Sequence, residues 1–398
     1  MKGYMTMNNF IYHTPTKVYF GKDEEFKVGK IIKEYGGTKV LIHYGGGSAV
    51  KSGLLDRVKE CLSDVGLEYV ELGGVKPNPE LPLVRKGIEL CIKENVDFVL
   101  AVGGGSVIDS AKDIANGAAN PEIDVYEFTK KTATPQKTLP KGVILTLAAA
   151  GSEMSASCVI TNPETGEKRG YNSVCNRMDF AIENPELTYT VNKYQTACGA
   201  VDIAMHTMER YFCPGNDTYL TDSIAESVIK SVLKAGVDAI DNPYDYSARA
   251  NMMWASSLAH NDLTHCGRDF SLPVHQFEHE VSGMYTDITH GAGLAALWAS
   301  WARYVYKANI PRFLQFAHNV WNIDIDFENP EKTVIKAIKM QEDYYKSIGM
   351  PTSLKELGIK PEDLEPLAYK CSFGKTRVLD GYMKLGYDDM LNIYKMAY

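Results

Sequence analysis

The first half of the chain alternates short β-rich runs with segments of helical periodicity. Strands that are separated by helices pair in parallel, because a parallel connection needs a long crossover segment. We therefore predict an α/β domain in which helices cover both faces of a parallel sheet. The predicted strands are 39–44, 68–72, 97–102 and 142–146, and the predicted helices between the first three are 49–65 and 81–94.

The pattern changes after Lys193, where β-rich runs become scarce and helical periodicity continues over long stretches. The clearest predicted helices in this half are 221–239, 246–258 and 330–347. We therefore predict two domains, an α/β domain over residues 1–192 and an all-helical domain over residues 193–398.

Composition and charge narrow the class of partner. The chain has 398 residues, of which 45% are hydrophobic and 23% are charged, and its net charge is −8. Its basic residues are spread out, so nucleic acid and membrane surfaces are disfavoured, and we expect a small-molecule substrate. Eight cysteines occur singly without a CxxC pair, and residues 1–10 lack a signal-peptide pattern. We therefore expect a cytoplasmic enzyme with reduced thiols.

Two glycine-rich turns each follow a predicted strand and precede a helical segment. Glycine lets the backbone approach an anion closely, and the first N–H groups of a helix point at it. A single turn is equally explained as a helix start, since Ser106 and Asp109 form a near capping box. Two turns in one sheet favour a ligand with two phosphates. We interpret this ligand as a dinucleotide cofactor. The residues expected to bind it are Gly45, Gly46, Gly47, Ser48, Gly104, Gly105, Ser106 and Asp109.

The composition of the first turn bears on the choice of dinucleotide. Neither turn is a GxGxxG fingerprint or a GxxxxGK[ST] P-loop. A carboxylate that binds the ribose hydroxyls is the common device for selecting NAD. The first turn contains no Asp or Glu, and Ser48 and Lys51 stand there instead. We therefore expect NADP(H) to be preferred over NAD(H).

Six of the nine histidines lie between residues 206 and 290. Asp202 and His206 are four residues apart, as are His275 and His279, so each pair lies on one face of a helix. Together with His290 they suit a borderline divalent ion such as Fe²⁺, Zn²⁺ or Co²⁺. Spacing alone leaves open which four of these five side chains bind the ion. We interpret the remaining histidines as structural, namely His13, His43, His260, His265 and His318.

Several short motifs occur together along nearly the whole chain. They are PTKVYFG at 15–21, YGGGS at 44–48, VKPNP at 75–79, GGGSVIDSAK at 103–112, GAVD at 199–202 and HGAGLA at 290–295. In combination the sequence resembles the iron-containing (group III) alcohol dehydrogenases, particularly the bacterial butanol dehydrogenase branch. The resemblance implies an α/β dinucleotide-binding domain followed by an all-α metal-binding domain, the architecture also found in dehydroquinate synthase.

The resemblance also implies roles for individual residues. Asp202, His206, His275 and His290 become the metal ligands, with Fe²⁺ as the expected ion and Zn²⁺ as the alternative. His279 is then left as a catalytic residue in the proton path. Gly104, Gly105 and Ser106 hold the cofactor pyrophosphate, and the residues implied to line the rest of the nucleotide site are Asn78, Thr146, Lys168 and Thr188.

The expected function is a metal-dependent, NADP(H)-linked alcohol dehydrogenase or aldehyde reductase for short-chain primary alcohols and aldehydes. A homodimer is an expectation from the family alone. A zinc protease is disfavoured, because Gln276 stands where such enzymes carry a glutamate base. Two alternatives remain open, a metal-dependent lyase of the dehydroquinate synthase type and a catalytically silent homologue that binds nucleotide or metal.

Overall fold

The computed structural model describes residues 7–215 and 217–398, and their contacts divide into two compact units. The unit that we call the sheet unit comprises His13–Val191 and Tyr244–Asn261. The helical unit comprises Asn192–Pro243 and Asp262–Tyr398, together with the described residues of Met1–Tyr12. Each unit is described by itself below.

The sheet unit contains eight strands among the described residues. They are β1 (Lys17–Phe20), β2 (Lys39–Gly45), β3 (Glu68–Val75), β4 (Phe98–Gly103), β5 (Lys141–Leu145), β6 (Ser157–Asn162), β7 (Glu167–Asn172) and β8 (Phe180–Glu183). Six of them form a sheet in the order β1-β8-β5-β4-β2-β3, and every neighbouring pair is parallel. β6 and β7 form a separate antiparallel hairpin. The α/β class predicted for this part of the chain is confirmed.

The four predicted strands appear as β2 to β5, whereas the sequence pattern does not indicate β1, β8 or the hairpin. β4, β5 and β8 are buried along their whole length, as expected for strands covered on both faces. β1 and β8 have four residues each, too few for a periodic signal. β7 carries charged residues at its first three positions, which hides its strand character in the sequence.

Helices cover the sheet and form the whole framework of the helical unit. In chain order they are α1 (Val28–Glu34), α2 (Ser48–Lys51), α3 (Leu54–Ser63), α4 (Leu81–Glu94), α5 (Gly105–Ala119), α6 (Tyr126–Thr129), α7 (Lys193–Tyr211), α8 (Tyr219–Asp241), α9 (Tyr246–Ala259), α10 (Pro273–Met284), α11 (His290–Val305), α12 (Ile310–Asn319), α13 (Pro330–Ser347), α14 (Leu364–Cys371) and α15 (Tyr387–Ala397). The helix predicted over 49–65 is two helices, because Gly53 adopts a left-handed conformation between them. Within residues 7–215 and 217–398, no helix combines the length and apolar character needed to span a bilayer.

The division into units differs from the predicted cut between residues 192 and 193 in two places, the described residues up to Tyr12, which belong to the helical unit, and one helical segment. α9 follows that cut in the sequence, yet it belongs to the sheet unit. Trp254 of α9 packs edge-on against Phe20 at the end of β1, and Tyr244 packs in the same way against Tyr189. Periodicity identifies α9 as a helix, but the choice of unit depends on such contacts with distant residues.

A buried polar cluster joins α5 to the hairpin within the sheet unit. The Tyr171 hydroxyl donates to Oδ1 of Asp113 at 2.7 Å and accepts from Nδ2 of Asn116 at 2.9 Å. Asp113 is fully buried, and this burial raises the pKa of its carboxyl group from 3.8 to about 7. The folded protein therefore retains a proton on Asp113 at pH values where the unfolded chain has lost it.

We predict that Asp113→Asn flattens the pH dependence of folding stability. Between about pH 4 and 7 the folded wild type binds more protons than the unfolded chain, so its free energy of unfolding falls as the pH rises, by up to about 1.4 kcal/mol per pH unit. Asparagine keeps the shape but does not titrate. Urea unfolding at several pH values measures the slope, with the exposed Asp56→Asn as control, and an unchanged slope in Asp113→Asn would contradict the prediction.

Candidate metal centre and dinucleotide site

One face of α7 carries three buried polar side chains inside the helical unit. Asp202, His206 and Glu209 stand at positions i, i+4 and i+7, which places them on a single stripe of the helix. The rest of α7 from Thr196 onward is also buried, so this stripe faces the interior of the unit. Buried charged and polar groups need partners, and two further helices supply them.

Three imidazole nitrogens converge on one carboxylate oxygen. Nε2 of His206 lies 3.4 Å from Oδ1 of Asp202, and Nε2 of His275 on α10 lies 3.6 Å from it. Nε2 of His290, the first residue of α11, lies 3.8 Å from the same oxygen. The structure therefore brings together the four side chains that the resemblance singled out as ligands.

This arrangement fits a metal ion. Oδ1 of Asp202 and Nε2 of His275 are buried and accept or donate no hydrogen bond within the described residues. Nitrogen and oxygen ligands at about 2.0–2.2 Å from one ion lie roughly 3.0–3.6 Å from each other. The His206 and His275 nitrogens meet this range from Oδ1 of Asp202, at 3.4 and 3.6 Å, and the His290 nitrogen lies slightly beyond it at 3.8 Å. The ligating atoms of Asp202, His206 and His275 lie within 4.8 Å of one another, whereas His290 forms a second such group with Glu278 and His279. Three imidazoles and one carboxylate also match the ligand preferences of Fe²⁺ and Zn²⁺.

Glu209 fixes the orientation of the His275 ring. Its carboxylate accepts from Nδ1 of His275 and from the backbone N–H groups of Val274 at 2.5 Å and His275 at 3.1 Å. Because an ionised carboxylate only accepts, Nδ1 of His275 carries a proton and Nε2 faces Asp202. The same carboxylate caps the first turn of α10, whose own N-cap residue, Leu272, makes no side-chain cap hydrogen bond.

Glu278 plays the same part for His290. Its carboxylate accepts from Nδ1 of His290, and the Glu278 side chain is fully buried. Gly293, one turn into α11, leaves room for it, since a Cβ atom there would lie 2.8 Å from Cγ of Glu278. Each of these two histidines is therefore oriented by a glutamate from a different helix.

The electrostatic environment favours positive charge at this position. Burial lowers the pKa of His275, but the nearby carboxylates of Glu209 and Asp202 outweigh that effect and raise it to about 9. The same negative field stabilises a bound cation.

His279 lies beside the converging histidines. Its ring centroid is 6.5 Å from that of His275 and 5.7 Å from that of His290. Its ligating nitrogen also lies within 4.8 Å of the ligating atoms of Glu278 and His290, and the ring is partly exposed. His279 is thus adjacent to the candidate centre but outside the Asp202-centred set.

The two glycine turns of the sheet unit lie at the carboxyl ends of neighbouring strands. β2 ends at Gly45 and β4 ends at Gly103, and these strands are paired in parallel along Val40–Tyr44. The chain leaves β2 toward β3 on one side and leaves β4 toward β5 on the other. Such a reversal of strand order opens a crevice at the carboxyl edge, where ligands of α/β sheets bind.

Three further residues predicted to line the nucleotide site, Thr146, Lys168 and Asn78, lie on segments linked by backbone contacts to β4 or to each other. The N–H of Thr146 donates to the Gly103 carbonyl at 3.1 Å. Lys168 pairs with Thr161 across the hairpin, and the N–H of Thr161 donates to Pro79 at 2.8 Å, next to Asn78. The hairpin thus connects Lys168 with the loop that carries Asn78.

Asp109 and Thr188 use their polar atoms within the protein. Oδ1 of Asp109 accepts from the Ser152 hydroxyl at 2.5 Å, and its Oδ2 accepts from the Val159 N–H at 3.0 Å. Asp109 therefore anchors α5 to the segment that follows β5. The Thr188 hydroxyl donates to the Pro185 carbonyl at 2.7 Å in the short 3-10 helix after β8.

Sequence reasoning missed Glu209 and Glu278. Both carry a weak signal, since Glu209 continues the helical stripe of Asp202 and His206, and Glu278 follows His275 by three residues. Glutamates at such spacings are common on helices, so the spacing alone does not indicate a role. The role becomes evident only from the contacts of the two carboxylates with Nδ1 of His275 and His290.

Family models match both halves of the chain. A model described as "Iron-containing alcohol dehydrogenase" matches residues 15–185, and one described as "Fe-containing alcohol dehydrogenase family, C-terminal" matches residues 196–398.

Full-length relatives agree with these matches. NADH-dependent butanol dehydrogenase A of Clostridium acetobutylicum is 42% identical over 98% of this chain and 100% of its own length. NADPH-dependent aldehyde reductase YqhD of Escherichia coli is 35% identical over 92% of this chain and 93% of its own. The crystal structure of NADH-dependent butanol dehydrogenase A from Thermotoga maritima superposes with a TM-score of 0.95 at 38% identity, covering 99% of this chain and 100% of that one.

We predict that Glu209→Gln and Glu278→Gln each raise the metal dissociation constant by about 10–100-fold, because a neutral amide holds the imidazole less firmly and makes Nε2 less basic. Competition with a chromophoric chelator measures this constant. Glu226→Gln is the matched control, since Glu226 is also buried but accepts from Tyr211, Gln315 and Asn319 instead of a histidine. Equal metal affinity in all four proteins would show that the two glutamates do not support the ligands.

Proposed function

The chain belongs to the iron-containing alcohol dehydrogenase family, and from that premise we propose that it interconverts short-chain aldehydes and primary alcohols. The proposed cofactors are NADP(H) and a divalent metal ion, with Fe²⁺ as the expected ion and Zn²⁺ as the alternative. The convergence of three Nε2 atoms on Oδ1 of Asp202 carries this proposal.

Asp202, His206, His275 and His290 are the residues proposed to hold the ion. A divalent ion supplies Lewis acidity, which polarises the oxygen of an aldehyde or alcohol. Glu209 and Glu278 keep the His275 and His290 rings oriented, so that little reorganisation is needed when the ion or the substrate binds.

The glycine turns are proposed to bind the cofactor. A nicotinamide dinucleotide supplies or accepts the hydride, while the protein positions it. The first N–H groups of α5, at Gly105 and Ser106, have no partner inside the helix and suit the pyrophosphate. Gly45, Gly46, Gly47 and Ser48 form the second contact at the end of β2.

His279 is the proposed proton carrier. An imidazole changes protonation state near neutral pH, so it can give a proton to the oxygen of the reduced aldehyde and take one from the alcohol in the reverse direction. Its ring lies beside His275 and His290 and is partly open to solvent, which supports an exchange of protons with water.

The preference for NADP(H) rests on charge in the sheet unit. Ser48 and Lys51, at the two ends of α2, are both exposed and leave the first turn without a carboxylate. The acidic side chain on the neighbouring strand, Glu71, is ion-paired with Lys59 at 3.0 Å. A 2′-phosphate would therefore meet the Lys51 cation at this turn, while the charge of Glu71 is balanced by Lys59. Among the relatives named above, the two butanol dehydrogenases are named as NADH-dependent and the aldehyde reductase as NADPH-dependent, so the proposed preference rests on the charge at the turn.

We expect protein reconstituted anaerobically with Fe²⁺ or Zn²⁺ to reduce short-chain aldehydes with a higher kcat/KM for NADPH than for NADH. Ser48→Asp should lower kcat/KM for NADPH by about tenfold or more and affect NADH less, because the new carboxylate repels the 2′-phosphate. A wild-type preference for NADH would contradict the cofactor proposal. Turnover without added metal in chelator-treated protein would contradict the metal proposal.

His275→Ala should lower kcat by about a thousandfold or more, since Lewis-acid stabilisation is worth several kcal/mol. Its dissociation constant for NADPH should stay close to that of the wild type, because the glycine turns belong to the sheet unit. Steady-state kinetics and fluorescence titration measure the two effects. His318→Ala, a histidine of α12 outside the ligand set, is the control, and near-normal turnover of His275→Ala would contradict the proposed centre.

A further inference from the structure

The segment that follows β5 packs directly against the second glycine turn. A Cβ atom on Gly104 would lie 3.0 Å from Cβ of Leu147, and one on Gly105 would lie 3.3 Å from Cβ of Ala150. The path of the turn therefore depends on where residues 147–150 lie. A side chain at either position would press on this segment, which would have to move by a few tenths of an ångström.

α9 holds the continuation of this segment through three polar contacts. The Ser256 hydroxyl accepts from the Gly151 N–H at 3.1 Å, and Nδ1 of His260, just after α9, donates to the Ala150 carbonyl at 2.7 Å. The Ser257 hydroxyl lies 2.7 Å from Oε1 of Glu153. Ser256, Ser257 and Glu153 are buried, so water does not replace these contacts readily.

The Ser257 hydroxyl also lies 2.8 Å from Oε1 of Glu183 at the end of β8. A hydroxyl group has one proton, so it donates to one carboxylate and must accept a proton from the other. One of the two glutamates is therefore a neutral carboxylic acid. Burial, which is almost complete for both residues, raises the pKa of each carboxyl group in agreement with this count.

We propose that α9 is the positioning element of the dinucleotide-binding turn, and that Ser256, Ser257 and a proton shared between Glu153 and Glu183 fix the segment on which that turn rests. The inference depends on the proposed function, which assigns the turn to the cofactor. This positioning role gives a reason for α9 to pack in the sheet unit, although α9 follows α8 of the helical unit in the sequence. A turn that is already held in place loses less conformational entropy when the pyrophosphate binds, so binding is tighter.

Alanine substitutions on α9 test the positioning role. Ser256→Ala and Ser257→Ala should each raise the dissociation constant of NADPH by about fivefold or more, because a buried donor or acceptor of the supporting segment loses its partner. Their metal dissociation constants should remain unchanged, since the ligands lie in the helical unit. Ser247→Ala is the matched control, because Ser247 is exposed in the first turn of the same helix. Unchanged NADPH affinity in both buried variants would overturn the inference.

Glutamine substitutions test the shared proton. Glutamine resembles a neutral carboxylic acid and can donate to the Ser257 hydroxyl, so Glu153→Gln should retain NADPH affinity within about twofold while Glu153→Ala loses it. Infrared spectra of the wild type in D₂O near neutral pH should show a protonated carboxyl C=O band that is absent from the Glu153→Gln/Glu183→Gln variant. An identical band in the wild type and the double variant would overturn the proposal of a shared proton. A wild type that binds no dinucleotide would instead contradict the proposed function.

Discussion

Oδ1 of Asp202 lies between 3.4 and 3.8 Å from three imidazole nitrogens inside the helical unit, where water is largely excluded. A buried carboxylate is costly unless a positive charge or a set of donors compensates it. Nothing within residues 7–215 and 217–398 donates a hydrogen bond to this oxygen. A divalent cation answers the requirement, and the chemistry proposed for the protein follows from its Lewis acidity.

The helices around Asp202 are linked by the same carboxylate–imidazole contact used twice. Glu209 of α7 holds His275 of α10, and Glu278 of α10 holds His290 of α11. Each contact leaves Nε2 of the histidine directed toward the centre and also ties one helix to the next. The same contacts therefore orient the ligands and pack the helices together. Glu209 adds to this by capping the first turn of α10.

The cofactor site proposed in the sheet unit relies on backbone instead of side chains to bind an anion. Neighbouring parallel strands deliver two glycine turns to one edge, and the first N–H groups of α5 are left without partners inside the helix. A backbone turn has no side chains to hold it, so its shape depends on what packs behind it. The segment after β5 fills that role, and α9 in turn holds the segment.

The sequence by itself determined the α/β and all-helical halves, the four strands β2 to β5 and most of the long helices, because these features repeat with a fixed local period. It also placed Asp202 with His206 and His275 with His279 on common helix faces, since a four-residue spacing has that consequence in any helix. Local spacing left open whether His290 joins Asp202, which the family resemblance implied, and tertiary structure alone decided that Glu209 and Glu278 orient the rings. It also decided that α9 packs with the sheet. These outcomes join residues far apart in the chain, and no local period records which distant partner a side chain meets.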